Sequence, residues 1–361
     1  MPSARPRITF DDQGVCNACG HAKKKQETTD WDSKQKELEV FCDQYRRDDG
    51  EFDCVVPCGG GKDGSTVSYR LQNELGMHPL CVTLNPQLPT EIGERNLRKF
   101  VLSGYSHLSI TVNPKHEQII SKYGFTEQGR PRLPALLGQT TAVVNIAVKF
   151  GIPLIVYGED GEAEYGGDSR MSKTADFSKE DRIELMFSKN DPTKVVRAAG
   201  LDPKDLPWLS FPSDEDLERV GITWIHFSFF EDWDPYKHYL IAKKHCGFQA
   251  LPTRSPGTYS NFAQLDDHLQ PLHTYLMYLK FGFGRASSDA CIDVRRGALD
   301  RKQALALVRK YDSEYPEELL PIYLDYFNMT QEEFDDVLDQ HVNKELFEKR
   351  DGRWSALFTP E

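Results

Sequence analysis

The chain has 361 residues, 39% of them hydrophobic and 28% charged, with a formal net charge of −12. This is the balance of a globular protein with room for one large or two ordinary domains. The acidic surplus argues against a general nucleic-acid binder, which needs a basic surface to release counterions.

The N-terminal stretch Met1-Pro2-Ser3-Ala4-Arg5-Pro6 leads into a strand-like Arg7-Ile8-Thr9-Phe10, not into a basic-then-apolar leader, and no run of about 18 apolar residues suggests a membrane span. A cytoplasmic location is expected. Eight cysteines scattered over the chain do not resemble a secreted disulfide framework, and their close pair is Cys16-Asn17-Ala18-Cys19. Two cysteines two residues apart are half of a tetrahedral zinc site. A polar helix is expected from Asp30 to about Arg47, so residues 1–48 read as an N-terminal Cys-x-x-Cys segment followed by a helix.

An α/β repeat follows. Strands are expected at 52–58, 79–85, 108–112 and 153–157, with helices at 65–75, 90–102, 115–122 and 134–150 between them. Short apolar strands alternating with helices imply a parallel sheet covered on both faces, with ligands at the carboxyl ends of the strands. The first strand runs into Cys58-Gly59-Gly60-Gly61-Lys62-Asp63-Gly64-Ser65-Thr66. Consecutive glycines let backbone N–H groups turn toward an anion, and the following helix adds the positive end of its dipole. Lys62 supplies a point charge, and Asp63 can hold magnesium against the same phosphates. The alternative is an ordinary strand-to-helix turn. Cys58, with no activating base near it in sequence, reads as a residue for packing or close phosphate approach and not as a nucleophile. Thr83 and Leu84, at the end of the second strand, and Gly158, after the fourth, fall on the same rim.

The fourth strand ends in Tyr157-Gly158-Glu159-Asp160-Gly161-Glu162-Ala163-Glu164-Tyr165-Gly166-Gly167. Carboxylates beside phosphates repel unless they bind Mg²⁺ or orient a proton, so Glu159 and then Glu164 are the candidate catalytic acids; a solvated acidic turn is the alternative. The α/β region is expected over 49–200 and a mainly helical lobe over 201–361. In that lobe Asn261, Asp266, Lys280, Arg285, Asp293 and Arg295 are candidate substrate contacts, against the alternative of internal Asp–Arg staples.

Cys58 to Ser65 resembles the pyrophosphate-binding loop of the PP-loop ATP pyrophosphatases, whose Ser-Gly-Gly-x-Asp-Ser pattern falls on Gly59 to Gly64 with both serines replaced by glycine and Ser65 displaced by one position. Together with the 157–167 run, Trp233 to Tyr239, and Lys280-Phe-Gly…Arg285…Asp293…Arg295-x-Gly297, most of the chain resembles the N-acetyl sugar amidotransferases of surface-polysaccharide and nonulosonic-acid biosynthesis. The resemblance implies ATP and Mg²⁺ as cofactors, an N-acetylated sugar nucleotide as substrate, an adenylated intermediate, and release of AMP and pyrophosphate. It also implies ammonia from a separate glutaminase with an ammonia-conducting barrel-type subunit, since no segment reads as a glutaminase. The family usually carries another Cys-x-x-Cys just before a Val-Met-Pro sequence. This chain starts at that Met-Pro, so Zn²⁺ at Cys16 and Cys19 would need His21, Cys42 or a partner chain. A tRNA-modifying PP-loop enzyme and a non-catalytic nucleotide-binding subunit are the other function classes.

Overall fold

Strand β1 (Cys54–Pro57) alternates its side chains between two apolar layers: Cys54, Val56 and Cys58 enter one core and Val55 the other. A strand buried on both faces must lie in the middle of a sheet, and this one does. The computed structural model describes residues 1–168, 175–186, 191–350 and 352–360. Among these, β2 (Pro79–Leu84), β3 (His107–Ile110), β4 (Leu154–Tyr157), β5 (Asp176–Phe177) and β6 (Thr223–His226) join β1 in the order β3-β2-β1-β4-β6-β5. All neighbours are parallel except β5 on β6. The chain runs outward from β1 to β3 and then returns to β4 on the other side of β1. The carboxyl ends of β1 and β4 therefore form the crevice where strand order reverses, the usual ligand site of such sheets.

The helices, in chain order, are α1 (Asn17–Glu27), α2 (Trp31–Asp43), α3 (Lys62–Tyr69), α4 (Glu91–Leu102), α5 (Pro114–Gln128), α6 (Leu133–Phe150), α7 (Gly161–Tyr165), α8 (Lys179–Met186), α9 (Pro192–Ala198), α10 (Asp214–Val220), α11 (Pro235–His245), α12 (Leu269–Phe281), α13 (Arg285–Arg295), α14 (Arg301–Tyr311), α15 (Leu320–Phe327) and α16 (Gln331–His341). Side-chain caps start many of them: Asp30, Thr90, Asn113, Asp160 and Asp234 each accept an N–H of the first turn, which satisfies donors the helix itself leaves open. Val143, Val144, Ile146 and Ala147 of α6 cover one face of the sheet with Val55, Val82 and Trp224, while α2 and α3 supply Leu38 and Val67 to the other.

The expected α/β sheet with a Cys-bearing N-terminal segment and a helical C-terminal region is present. Besides the short β5, the structure departs from the expectation in three places. β6 lies at 223–226, past the point where sequence pattern suggested the strands end, because four residues with Trp and His among them give no clear period. The C-terminal lobe closes with a hairpin of β7 (Phe347–Arg350) and β8 (Arg353–Ala356). Arg7–Phe10 forms no strand beyond a single bridge from Phe10 to Cys16. Among the described residues α6 is the one helix with the length and mean hydropathy, 1.2, of a membrane span, and 72% of it is buried; its apolarity serves the sheet.

Candidate functional site

The loop after β1 is shorter than the glycines alone suggested, because α3 begins at Lys62 with Gly61 as its N-cap. Gly60 sits at φ +76°, and a Cβ there would come within 2.5 Å of the Leu97 backbone. At Gly64 a Cβ would lie 2.8 Å from the Pro57 carbonyl oxygen and 2.9 Å from Cys58 Cα. The second serine-to-glycine departure is thus a packing requirement of this chain: the first turn of α3 lies directly on the end of β1.

Two cavities open at this loop. One, of about 500 Å³, is lined by Cys58, Gly59, Thr83, Leu84, Tyr157 and Gly158 among others, and reaches Arg5 and His226. The other, of about 200 Å³, runs from Gly59–Gly64 past Tyr165 and Phe262 to Gln264 and Arg285. Asp63, Glu159 and Asp266 line both. Asp266 is brought there by a strap: Thr90 N–H donates to its carbonyl at 3.1 Å, and Pro89 bridges Asp267. The strap passes so close that a Cβ on Gly93 would meet Asp266 Cα at 2.6 Å.

The electrostatics of the junction are uneven. Burial alone would raise Asp63, but Lys62 and His238 hold its carboxyl well below the usual carboxylate range. Lys62 Nζ pairs with Oδ2, while His238 Nδ1 at 2.9 Å and Trp233 Nε1 at 3.1 Å reach Oδ1. Glu159 goes the other way: burial and the charge on Asp63 push it up to about 7. A pair of carboxylates set apart in this manner suits a divalent cation, or a proton, between them and a phosphate.

Of the sequence candidates, Cys58, Gly59, Gly60, Gly61, Lys62, Asp63, Thr83, Leu84, Gly158, Glu159, Asp266 and Arg285 lie on one or both cavities. The others do not. Ser65 is fully buried with Oγ 3.8 Å from Cys58 Sγ, so its hydroxyl faces the core, and burial holds the Cys58 thiol protonated. Glu164 points away from the junction into an ion pair with Lys25 at 2.9 Å, both side chains only 9% exposed, and His21 lies 3.4 Å from it. Asn261 Nδ2 donates to the Leu251 carbonyl; Lys280 Nζ donates to the carbonyls of Gln128 and Gly129 at 2.9 and 3.0 Å. Asp293 accepts from Tyr259 and Arg296, and Arg295 donates to the Glu164 carbonyl at 2.8 Å. All four are engaged in hydrogen bonds within the protein, Asn261 and Asp293 inside the lobe and Lys280 and Arg295 across to the α/β region. Arg285 is oriented by Asp289 at 3.0 Å and by Gln264.

No group of three or more His, Cys, Asp or Glu side chains among the described residues is placed to hold a metal ion. The zinc expectation therefore gains no support. Cys16 and Cys19 hydrogen-bond to each other, but His21 is committed to Glu164 and Cys42 lies in the core with Leu38 and Cys54. For magnesium, which commonly takes one or two carboxylates plus substrate phosphates, Asp63 and Glu159 suffice.

Sequence reasoning missed His238, Glu231 and Arg5. Arg5 sits against Tyr165, 5.7 Å from the ring centroid, and donates to the Gly166 carbonyl, so the N-terminal segment forms part of the larger cavity's wall. A lone cation in a polar tail carries no local signal of this.

Comparison with curated proteins finds no match. Solved structures similar to the chain include NMN synthetase from Francisella tularensis, at 13% identity and a TM-score of 0.27 over 53% of this chain and 92% of that one. Another is a predicted subunit of tRNA methyltransferase from Methanocaldococcus jannaschii, at 18% identity and a TM-score of 0.23 over 45% and 93%. Residues 256–359 match the family model described as LPS biosynthesis protein WbpG-like, C-terminal domain, which bears out the kinship with surface-polysaccharide biosynthesis read from the motifs of the C-terminal lobe.

Proposed function

We propose that the chain is an ATP-dependent amidotransferase that converts the N-acetyl group of an activated sugar to an acetamidino group. The observation that carries this reading is the pair of cavities meeting at Asp63 and Glu159: one, of about 500 Å³, lies at the glycine turn and the strand ends where ligands of such sheets bind, and the other leads to Arg285 on the family-matched lobe. An amide oxygen is a poor leaving group. In the first step it attacks the α-phosphorus of ATP, the α–β phosphoanhydride bond breaks, and pyrophosphate leaves into the cradle of Gly59–Lys62. In the second, ammonia adds to the imidate carbon, loses a proton, and AMP departs with the former amide oxygen.

Lys62 and the loop N–H groups stabilise charge that develops on the leaving pyrophosphate, and their place at a helix N-terminus makes that stabilisation preorganised. A bound Mg²⁺ supplies charge neutralisation at the phosphates, with Asp63 and Glu159 as its protein ligands. Arg285 and Asp266 contact the sugar. The larger division follows the chemistry, with 49–200 plus β6 as the ATP-binding unit, the lobe beyond it as the substrate and partner unit, and residues 1–48 as a brace for the 157–167 loop. Ammonia comes from a separate glutaminase through a barrel-type subunit, and ATP with a sugar nucleotide places the reaction in the cytoplasm.

The test is incubation with Mg-ATP, ¹⁵N-ammonium and a diacetamido sugar nucleotide, read by mass spectrometry. Incorporation of one ¹⁵N in place of the amide oxygen supports the reading; incorporation from glutamine by the single chain contradicts the two-protein nitrogen supply.

A further inference from the structure

Behind the junction lies a row of ionic side chains, buried at His238 and half-buried at Glu231 and Arg70, that the reaction as written does not use. His238, on the first turn of α11 and 2% exposed, stands between two carboxylates: its Nδ1 is 2.9 Å from Asp63 Oδ1 and its Nε2 is 2.7 Å from Glu231 Oε1. Both neighbours are acceptors when ionised, so each ring nitrogen must carry a hydrogen, which is the imidazolium form. Glu231 is itself held by Arg70, whose other nitrogens bond Glu74 at 2.8 Å and Gln35 at 3.0 Å. Thr66 Oγ1 donates to the His238 carbonyl at 2.9 Å, which ties α11 to α3 by backbone as well. Trp233, immediately before α11, donates to the same Asp63 oxygen as His238.

The effect on Asp63 is geometric. With Oδ1 taken by His238 and Trp233, the carboxylate cannot rotate, and Oδ2 is left facing Lys62 and the cavities. We propose that His238 is a positioning residue that fixes the loop aspartate, and through it Lys62, from a second element of the fold, with Glu231 and Arg70 holding the imidazole in turn. This rests on the reading of the junction as an ATP site, and it adds to that reading a control of the loop by α11. Partners that orient the groups acting directly at a site commonly matter by about 10–100-fold.

Two isosteric halves of histidine separate the contacts. Asn places its Nδ2 near where Nδ1 stands and can still donate to Asp63, whereas Gln places its Nε2 near Glu231 and leaves Asp63 unbound. The experiment is pyrophosphate release from Mg-ATP by the full chain in the presence of ammonium and a diacetamido sugar nucleotide, with kcat and KM for ATP measured for wild type, His238→Asn and His238→Gln, alongside melting temperatures. Expected is a kcat loss of about 10–100-fold for Gln, about threefold or less for Asn, and KM changes of about threefold or less in both. Equal losses in the two variants, or none in either, overturn the proposal, because a role in packing alone does not distinguish which nitrogen is kept. If the wild type releases no pyrophosphate, it is the ATP reading that fails. The clamp is then read from Trp233 emission, with Trp233→Phe spectra subtracted. A shift in His238→Gln but not in His238→Asn supports it, and any other pattern overturns it.

Discussion

Glu159→Gln should lower activity and raise stability at the same time. Burial and the Asp63 charge lift this carboxyl from 4.5 to about 7, so at pH 8.5 the folded protein must hold an ion that the unfolded chain holds more easily. The sign follows from linkage: a raised carboxyl contributes stability below its unfolded value and loses it as pH climbs through the folded one. The full displacement corresponds to about 3 kcal/mol, and partial solvent contact of the side chain reduces this to about 2 kcal/mol. Neutral Gln removes the cost, which for a chain of this size is a rise in melting temperature of roughly 2–4 °C at pH 8.5. At pH 4, below the unfolded value, where Glu159 is protonated in both the folded and the unfolded wild type, the two proteins should melt together. Turnover should fall by about 2–4 kcal/mol, the usual cost of losing one group aimed at developing charge or its counterion. Calorimetric scans at the two pH values, without nucleotide or Mg²⁺, together with pyrophosphate release, make the assay. A destabilised variant, or one with wild-type turnover, would refute the reasoning.

Glu164→Gln should instead lower stability, leaving buried Lys25 with the more distant Asp232 carboxylate at 3.7 Å in place of its close partner and costing up to about 3 kcal/mol, with turnover per folded molecule changed little; denaturant titration and activity of the folded fraction check this. Arg285→Glu should weaken affinity for the sugar nucleotide while leaving Mg-ATP affinity within about threefold, measured by separate calorimetric titrations. For His238, burial pulls the imidazole down but Glu231 and Asp63 outweigh it and raise it to about 9. Its stabilising contribution is therefore complete below pH 6.5 and lost as pH rises through about 9, so wild-type melting should fall across that window more steeply than that of His238→Gln.

What could be read in advance divides along sequence separation. The cradle was legible because everything it needs is consecutive: an apolar strand, three glycines, Lys62 and Asp63. The parallel sheet was legible because β1, β2 and β4 are nearly all apolar. Glu164 was read as a site acid for the same local reason, since it shares a loop with Glu159, and only α1 folding over that loop brings Lys25 to it. His238 lies 175 residues from Asp63; the stretch Trp233 to Tyr239 entered the resemblance as a motif, but nothing in it singled out His238, and only the fold shows its contact with Asp63. At Gly64 the sequence shows only a serine replaced by glycine, whereas the structure shows that the close approach of β1 demands it. Lys280, Asp293 and Arg295 share motifs with Arg285, and motif membership cannot tell a ligand contact from a staple.

The central claim is that ATP is split between its α- and β-phosphates at the loop after β1. The most direct measurement is chromatographic identification of the nucleotide product formed from Mg-ATP, ammonium and a diacetamido sugar nucleotide, for the wild-type chain and for Lys62→Ala. The geometry predicts AMP with an equal amount of pyrophosphate, dependent on the sugar and reduced by about 2–4 kcal/mol in barrier terms for Lys62→Ala; ADP and inorganic phosphate, or AMP formed equally well by the variant, would contradict it.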